Sequence, residues 1–148
     1  MTDGPTPGLR VGSGAPSAPQ QSFFDAVGGH ATFDAIVRAF YEGVKTDPIL
    51  RPMYPEEDLE GAIWRLTAFL EQYWGGPTTY SDTRGHPRLR ARHTPFHVNP
   101  EARDAWIHHM REAVAAQNLA PLHAVTLMDY LERSAHSLVN TFDPTPER

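Results

Sequence analysis

The sequence predicts an all-α domain, and three observations support this prediction. Apolar residues recur at helical spacing in four long segments. The breaks between these segments hold Gly, Pro and Asn at positions where helices begin or end. No convincing β-strand and no internal repeat interrupt the pattern. At 148 residues the chain is long enough for one domain with a sizeable core.

The two ends of the chain have a different composition from the middle. Residues 1–21 are rich in Pro, Gly and Ser and poor in apolar side chains. Such a segment buries too little surface to offset its ordering entropy, so we expect a disordered extension. Residues 22–142 form the expected folded domain, and residues 143–148 a flexible tail.

The first long helix is predicted between Gly28-Gly29, which interrupt the chain, and Asp47-Pro48, which end it. Its apolar stripe consists of Phe33, Ile36, Val37, Phe40, Tyr41 and Val44. A short turn over Pro48 to Met53 is expected to follow.

A second helix is predicted from about Pro55-Glu56-Glu57, where acidic residues suit the helix N-terminus, to Gly75-Gly76-Pro77. Its stripe consists of Leu59, Ile63, Leu66, Phe69, Leu70, Tyr73 and Trp74. A loop of about a dozen residues, holding Gly85 and Pro87, is expected next. Arg88 to His93 fit a short helix that Pro95 prevents from extending.

Two further helices complete the pattern. Asn99-Pro100-Glu101 begins one, with the stripe Ala102, Ala105, Trp106, His109, Met110, Ala113 and Val114. Pro121 begins the other, with the stripe Leu122, Val125, Tyr130, Leu131, Ala135, Leu138, Val139 and Phe142. Periodicity alone leaves a simple bundle and a globin sandwich both open.

Composition excludes several classes of function. With no cysteine, the chain has no disulfide, thiolate metal site or cysteine nucleophile. A net charge of −5 argues against a general nucleic-acid binder, although arginines cluster at Arg84, Arg88, Arg90 and Arg92. No apolar run approaches the roughly 20 residues that span a bilayer, and no signal-peptide core begins the chain. We therefore expect a cytoplasmic protein without nucleic-acid or membrane partners.

Several long segments, in order, resemble one family. FLEQYWGGPTTYSDTRGHPRLRARHTPF, Phe69 to Phe96, is similar almost word for word to the group II (O-type) truncated haemoglobins of bacteria. Ser22 to Val44, Arg51 to Leu59, Arg103 to Met110 and Tyr130 to Asn140 are similar to other parts of the same family. The resemblance implies a truncated globin fold, a two-over-two helical sandwich enclosing haem b.

The resemblance also implies roles for individual residues. His93 matches the proximal histidine that ligates the haem iron. Tyr41, Tyr54 and Trp106 match distal positions that face a small ligand such as O2, NO, CO or peroxide. Leu66 and Phe69, with Ala62 one turn earlier, match the distal face of the neighbouring helix.

The chemistry of these side chains agrees with those roles. A neutral imidazole is a common axial ligand of haem iron. Phenol O–H and indole N–H groups stabilise negative charge on a bound ligand, most strongly in a dry pocket. Arginine suits the anionic propionates of haem, so Arg92 is the first candidate there, with Tyr80 and His86 weaker. The other histidines, such as His109, are expected to be structural or exposed.

Three functions remain open from the sequence. The first is reversible binding of diatomic gases, as a carrier, store or scavenger. The second is NO dioxygenation or peroxidase-like oxidation, which needs an unknown external reductase because the chain has no Gly-rich dinucleotide fingerprint. The third is a helical interaction module without haem. Self-association, for example as a homodimer, is also left open.

Overall fold

Helices make up the regular secondary structure of residues 21–55, 57–85 and 98–141, the ranges that the computed structural model describes. In chain order they are α1 (Phe23–Ala26), α2 (Gly29–Lys45), α3 (Glu60–Tyr73), α4 (Thr79–Arg84), α5 (Pro100–Ala115) and α6 (Pro121–Ser137). A 3-10 turn, Arg51–Met53, lies between α2 and α3. The all-α prediction is confirmed.

Two pairs of helices form the core. α2 packs along α3, α5 packs along α6, and α2 also lies against α5. The whole predicted stripe of α2 is buried, namely Phe33, Ile36, Val37, Phe40, Tyr41 and Val44. Because α2 contacts a helix of each pair, it lies at the centre of a two-over-two arrangement.

The start of α5 follows the sequence prediction closely. Pro100 occupies the first turn, where its missing N–H costs nothing. The Asn99 side chain accepts a hydrogen bond from the backbone N–H of Ala102 at 2.8 Å. Asn99 is therefore a conventional N-cap, and its 2 % exposure makes the cap part of the core.

The start of α3 lies further along the chain than predicted. The sequence favoured Pro55 to Glu57, whereas the helix begins at Glu60. The Arg51 guanidinium donates a hydrogen bond to the Glu57 carbonyl at 3.2 Å, so this carbonyl has a partner outside the helix. The Asp58 carboxylate then accepts from the Glu60 backbone N–H at 2.9 Å, so a tertiary contact and a local cap set the boundary.

The prediction of a loop after Gly75-Gly76-Pro77 was wrong in part, because Thr79–Arg84 form α4. The side-chain amide of Gln72 binds this helix through two hydrogen bonds to Ser81. Nε2 donates to Ser81 Oγ at 2.6 Å, and Oε1 accepts from the Ser81 backbone N–H at 2.9 Å. Tyr80 is its one buried residue. A single buried side chain produces no stripe, so periodicity could not reveal this helix.

The predicted stripe of α6 is wrong at its first two members. Leu122 and Val125 are 75% and 65% exposed. The predicted members Tyr130, Leu131 and Ala135 are buried, together with Leu127 and Met128, which the stripe omitted. Phe142 lies outside the described residues. The segment carries apolar residues on more than one face, and only packing against α5 selects the face that is buried.

The prediction for Tyr73 was also wrong, since this residue of the α3 stripe is 52% exposed. It stacks on Tyr130 with ring centroids 3.9 Å apart, and Trp74 meets Tyr130 edge to face at 5.5 Å. Trp74 in turn packs on Phe23 of α1 at 4.2 Å. The end of α3 therefore joins α1 to α6 through aromatic rings.

The glycine break after α3 has a packing role. Gly75 has φ +95°, and a Cβ there would lie 2.9 Å from Ser22 Cβ. A Cβ at Gly76 would lie 2.8 Å from the Phe24 ring. The backbone N–H of Phe24 donates to the Trp74 carbonyl at 2.9 Å. The two glycines allow α1 to approach this closely.

Candidate functional site

Aromatic side chains from three elements converge where α2, the 3-10 corner and α5 meet. The rings of Tyr41 and Tyr54 lie edge to face with centroids 5.3 Å apart. Phe40 contacts Tyr41 at 4.9 Å and Trp106 at 5.4 Å, both edge to face. The structure thus brings together the three predicted distal residues, with Trp106 connected through Phe40.

The corner residue Tyr54 is held by local hydrogen bonds. Its backbone N–H donates to the Arg51 carbonyl at 3.1 Å. The Arg51 guanidinium returns a hydrogen bond to the Tyr54 carbonyl at 2.6 Å. These bonds fix an extended residue at the end of the 3-10 turn, so its phenol is directed by the backbone of the corner.

Helix α3 supplies an apolar wall to the same core. Ala62 is buried at 3 % exposure, while Leu66 and Phe69 are half-buried and pack against the core. Leu66 and Phe69 are three residues apart and share one side of the helix. Phe69 meets Tyr80 of α4 edge to face at 5.7 Å, so the predicted wall continues into α4.

The donors that gather here are neutral. Two phenol O–H groups and one indole N–H, from Tyr41, Tyr54 and Trp106, stand beside apolar side chains. Tyr41 is 4 % exposed, so its hydroxyl acts in a medium that strengthens hydrogen bonds. This chemistry suits a small ligand that gains partial negative charge when it binds.

The predicted proximal residues His93, Arg92 and His86 lie outside the described residues, as does the short helix expected up to His93. The residues that follow them are well anchored. The backbone N–H of Val98 donates to the Asn140 side chain at 3.0 Å, and the Asn140 N–H donates to the Val98 carbonyl at 2.8 Å. The chain therefore returns to the core at a point fixed by the end of α6.

Two histidines form contacts that the sequence did not predict. His109 Nε2 lies 2.6 Å from Asp47 Oδ2, and His30 Nδ1 lies 2.6 Å from Glu71 Oε2. A structural role for His109 was expected, but its partner is far away in sequence and gave no local signal. Within the described ranges, no group of three or more His, Asp or Glu is arranged to hold a metal ion.

Comparison with known proteins extends this picture. The model of the bacterial-like globin family matches residues 22–140. The chain is 38% identical over 123 residues to the group 2 truncated hemoglobin YjbI of Bacillus subtilis, a match that covers 81% of this chain and 92% of that protein. The chain belongs to the group 2 truncated haemoglobins. The family resemblance seen in the sequence is confirmed.

Solved structures confirm the truncated haemoglobin fold as well. A thermostable hemoglobin from Thermobifida fusca is 54% identical, with a TM-score of 0.81 over 82% of this chain and 98% of that one. The group II truncated hemoglobin from Bacillus anthracis is 34% identical, with a TM-score of 0.81 over 86% of this chain and 98% of that one.

Membership of the truncated haemoglobins implies a haem cofactor and a small diatomic ligand. The described residues fit that group, because the neutral donors Tyr41, Tyr54 and Trp106 belong to the same apolar core as residues of α3, namely Ala62, Leu66 and Phe69. None of the helices in the described ranges is long and apolar enough to cross a membrane.

Proposed function

We propose that this truncated haemoglobin reversibly binds O2, and also NO and CO, at the iron of haem b, with His93 as the proximal ligand. When bound, the haem would supply the iron that binds the gas. His93 would hold that iron, and Tyr41, Tyr54 and Trp106 would donate hydrogen bonds to the ligand. The contact of Tyr41 with Tyr54, and its connection to Trp106 through Phe40, is the observation that carries this proposal.

The donors of this chain set how long a ligand stays. A neutral hydrogen bond contributes about 0.5–1.5 kcal/mol net. Two cooperating donors therefore slow ligand release by roughly ten- to a hundredfold, at about 1.4 kcal/mol per decade. A similar protein from B. subtilis, 37% identical with a TM-score of 0.77, is described as an oxygen-avid truncated haemoglobin, which supports slow release here.

The anionic edge of the haem requires neutralising partners. We assign Arg92 to a propionate because its planar guanidinium suits a carboxylate and it adjoins His93. Tyr80 and His86 are the second candidates. Tyr80 is buried, and its ring contacts Phe69 of the α3 wall. The cytoplasm is the expected location, and recovery of a ferrous state would need an external reductase.

Spectra of the ferric, deoxy ferrous, oxy and CO-bound protein test the proposal directly. The purified protein should show a Soret band and form stable O2 and CO complexes. His93→Gly should lose the proximal bond, and added imidazole should restore it. His108→Gly is the matched control, because His108 is an exposed histidine of α5. A protein without a Soret band would instead be a haem-free helical module.

Turnover measurements distinguish reversible ligand binding from redox catalysis. Stopped-flow mixing of the oxy form with NO, and peroxide assays with an aromatic donor, measure the two reactions. Slow or stoichiometric reaction is expected of a carrier or store. Rapid multiple turnover with a supplied reductant would indicate that the protein is an enzyme and would contradict reversible binding as its main activity.

A further inference from the structure

The contact between His109 and Asp47 connects the two elements that carry Trp106 and Tyr54. His109 Nε2 and Asp47 Oδ2 are 2.6 Å apart, and the two side chains are only 19% and 12% exposed. An ionised carboxylate has no proton to give, so the imidazole Nε2 donates this hydrogen bond. A short, largely buried bond to a charged acceptor is among the stronger kinds.

The imidazole is also packed tightly against α2. A Cβ added at Gly43 would lie 2.4 Å from His109 Nδ1 and 3.0 Å from its Cε1. The ring therefore occupies space that only a glycine leaves open. Gly43 lies two residues after Tyr41, so the ring of His109 touches the same stretch of α2 that carries the distal tyrosine.

The other oxygen of Asp47 organises the corner. Asp47 Oδ1 accepts from the backbone N–H of Ile49 at 2.7 Å and of Leu50 at 3.1 Å. The Asp47 carbonyl accepts from the Arg51 N–H at 2.9 Å. One residue thus caps the turn and binds α5. Because the Arg51 guanidinium donates to the Tyr54 carbonyl, hydrogen bonds connect the backbone of Asp47 to the backbone of Tyr54.

His109 lies on the same side of α5 as Trp106, one turn further along the helix. We infer that the His109–Asp47 pair is a positioning device that fixes α5 relative to the corner, and thereby sets the mutual placement of Trp106 and Tyr54. His109 and Asp47 are positioning residues, since they act through the backbone and through Gly43. This inference rests on the proposed function of Tyr41, Tyr54 and Trp106 as donors to the ligand.

The state of the Asp47 carboxyl agrees with this geometry. Burial by itself would raise the pKa of Asp47, but the hydrogen bond from His109 and those from the amides of Ile49 and Leu50 outweigh it. The pKa of Asp47 is consequently lowered from its ordinary value. The carboxylate is ionised at neutral pH, as an acceptor for both the imidazole and the turn must be.

Three variants of the haem-loaded protein test the inference. His109→Ala removes the bond, and His109→Gln keeps an amide donor close to the position of Nε2. Asp47→Ser keeps an oxygen for the turn amides but is too short to reach α5, so it tests the link even if His109→Ala does not fold. Arg111→Ala is the matched control, because it removes an exposed ion pair between α5 and α6, Arg111–Glu132.

Three readouts are informative. The first is the O2 dissociation rate by stopped flow, the second the infrared C–O stretching band of the CO complex, and the third hydrogen exchange of residues 47–54. In His109→Ala and Asp47→Ser, O2 release should speed up about two- to tenfold, the size of one lost hydrogen bond. The C–O band should broaden or shift, and exchange in the corner should accelerate. His109→Gln and Arg111→Ala should resemble the unmodified protein.

Two outcomes would overturn the inference, and they differ. In the first outcome, Trp106→Phe changes O2 release, but His109→Ala and Asp47→Ser leave the O2 dissociation rate, the C–O band and the hydrogen exchange unchanged. The His109–Asp47 pair then has no positioning role, and the proposed function stands. If Trp106→Phe, Tyr41→Phe and Tyr54→Phe all leave release unchanged, the distal donors themselves are wrongly assigned, and the pair has nothing to position.

Discussion

Tyr41 and Tyr54 lie edge to face, with ring centroids 5.3 Å apart and planes at 86°. Tyr41 belongs to the central helix α2 and Tyr54 to the corner that follows it. The two rings pack on each other across two different elements. If both phenols donate to the ligand as proposed, this packing would preorganise them and reduce the ordering that binding requires.

Loss of a distal donor should speed ligand release. Tyr41→Phe and Trp106→Phe each remove one hydrogen bond and should each raise the O2 dissociation rate by about two- to tenfold. The double variant should release O2 faster than either. Stopped-flow displacement of O2 by CO measures these rates. Trp64→Phe is the control, because Trp64 is 42% exposed on α3. Equal rates in all variants would remove the distal assignment.

Gly43 of α2 and Gly61 of α3 should respond differently to an added methyl group. Gly43→Ala places a Cβ within 2.4 Å of the His109 ring, so the ring must move and the protein should be less stable by about 1–3 kcal/mol. Gly61→Ala meets only an Arg65 guanidinium nitrogen at 3.2 Å, the mobile end of a flexible chain, and should gain up to about 1 kcal/mol from helix propensity. Urea unfolding compares them. A neutral Gly43→Ala would show that the ring is loosely held.

Acid should remove the contribution of Asp47 to stability. Because its folded-state pKa is lowered, that contribution is complete above the ordinary carboxyl pKa and is lost as pH falls through the lower folded value. Asp47→Asn keeps an oxygen for the turn but no charge. Urea unfolding of both proteins at a series of acid pH values should show a stability difference that narrows as pH falls. A difference that stays constant with pH would contradict this.

The hydrogen bond from the Val98 backbone N–H to the Asn140 side chain should affect haem retention. Asn140→Ala leaves the backbone N–H of Val98, a residue only 7 % exposed, without its side-chain acceptor. The cost should be about 1–3 kcal/mol in the free energy of unfolding. If His93 is the proximal ligand, haem transfer to an acceptor apoglobin should also accelerate. Ser137→Ala, at an exposed position of the same helix end, is the control and should change neither.

The buried face of α6 can be tested by replacing one buried and one exposed leucine of this helix with alanine. Leu127 is 1 % exposed, and Leu127→Ala should destabilise the protein by about 2–5 kcal/mol through lost burial and a cavity. Leu122 is 75% exposed, and Leu122→Ala should stay within about 0.5 kcal/mol. Thermal unfolding of the CO-bound form measures both. A large loss in Leu122→Ala would indicate that this face is covered, for example by a second copy of the chain.

Local chemistry explains which predictions were accurate. The α2 stripe is apolar on one side only, so its burial could be read from the sequence. Asn99-Pro100 carries its own cap and helix start, and α5 begins there. The family resemblance proposes Tyr41, Tyr54 and Trp106 as distal residues, and the structure brings their rings together through Phe40.

The remaining features depend on contacts between distant segments. α4 exists because Gln72 binds Ser81 and Tyr80 is buried, and a six-residue segment shows neither in its own pattern. The start of α3 depends on Arg51, and the buried face of α6 depends on α5. The pairing of His109 with Asp47 joins residues 62 positions apart, beyond any local signal.

Local patterns in the sequence predict that the chain is helical and where most of its helices lie, because spacing and caps are encoded within a few residues. The tertiary structure selects which of several apolar faces is buried, how Tyr41 and Tyr54 meet, and which histidine contacts Asp47. Those outcomes arise from packing and hydrogen bonds between elements, whose partners no single segment contains.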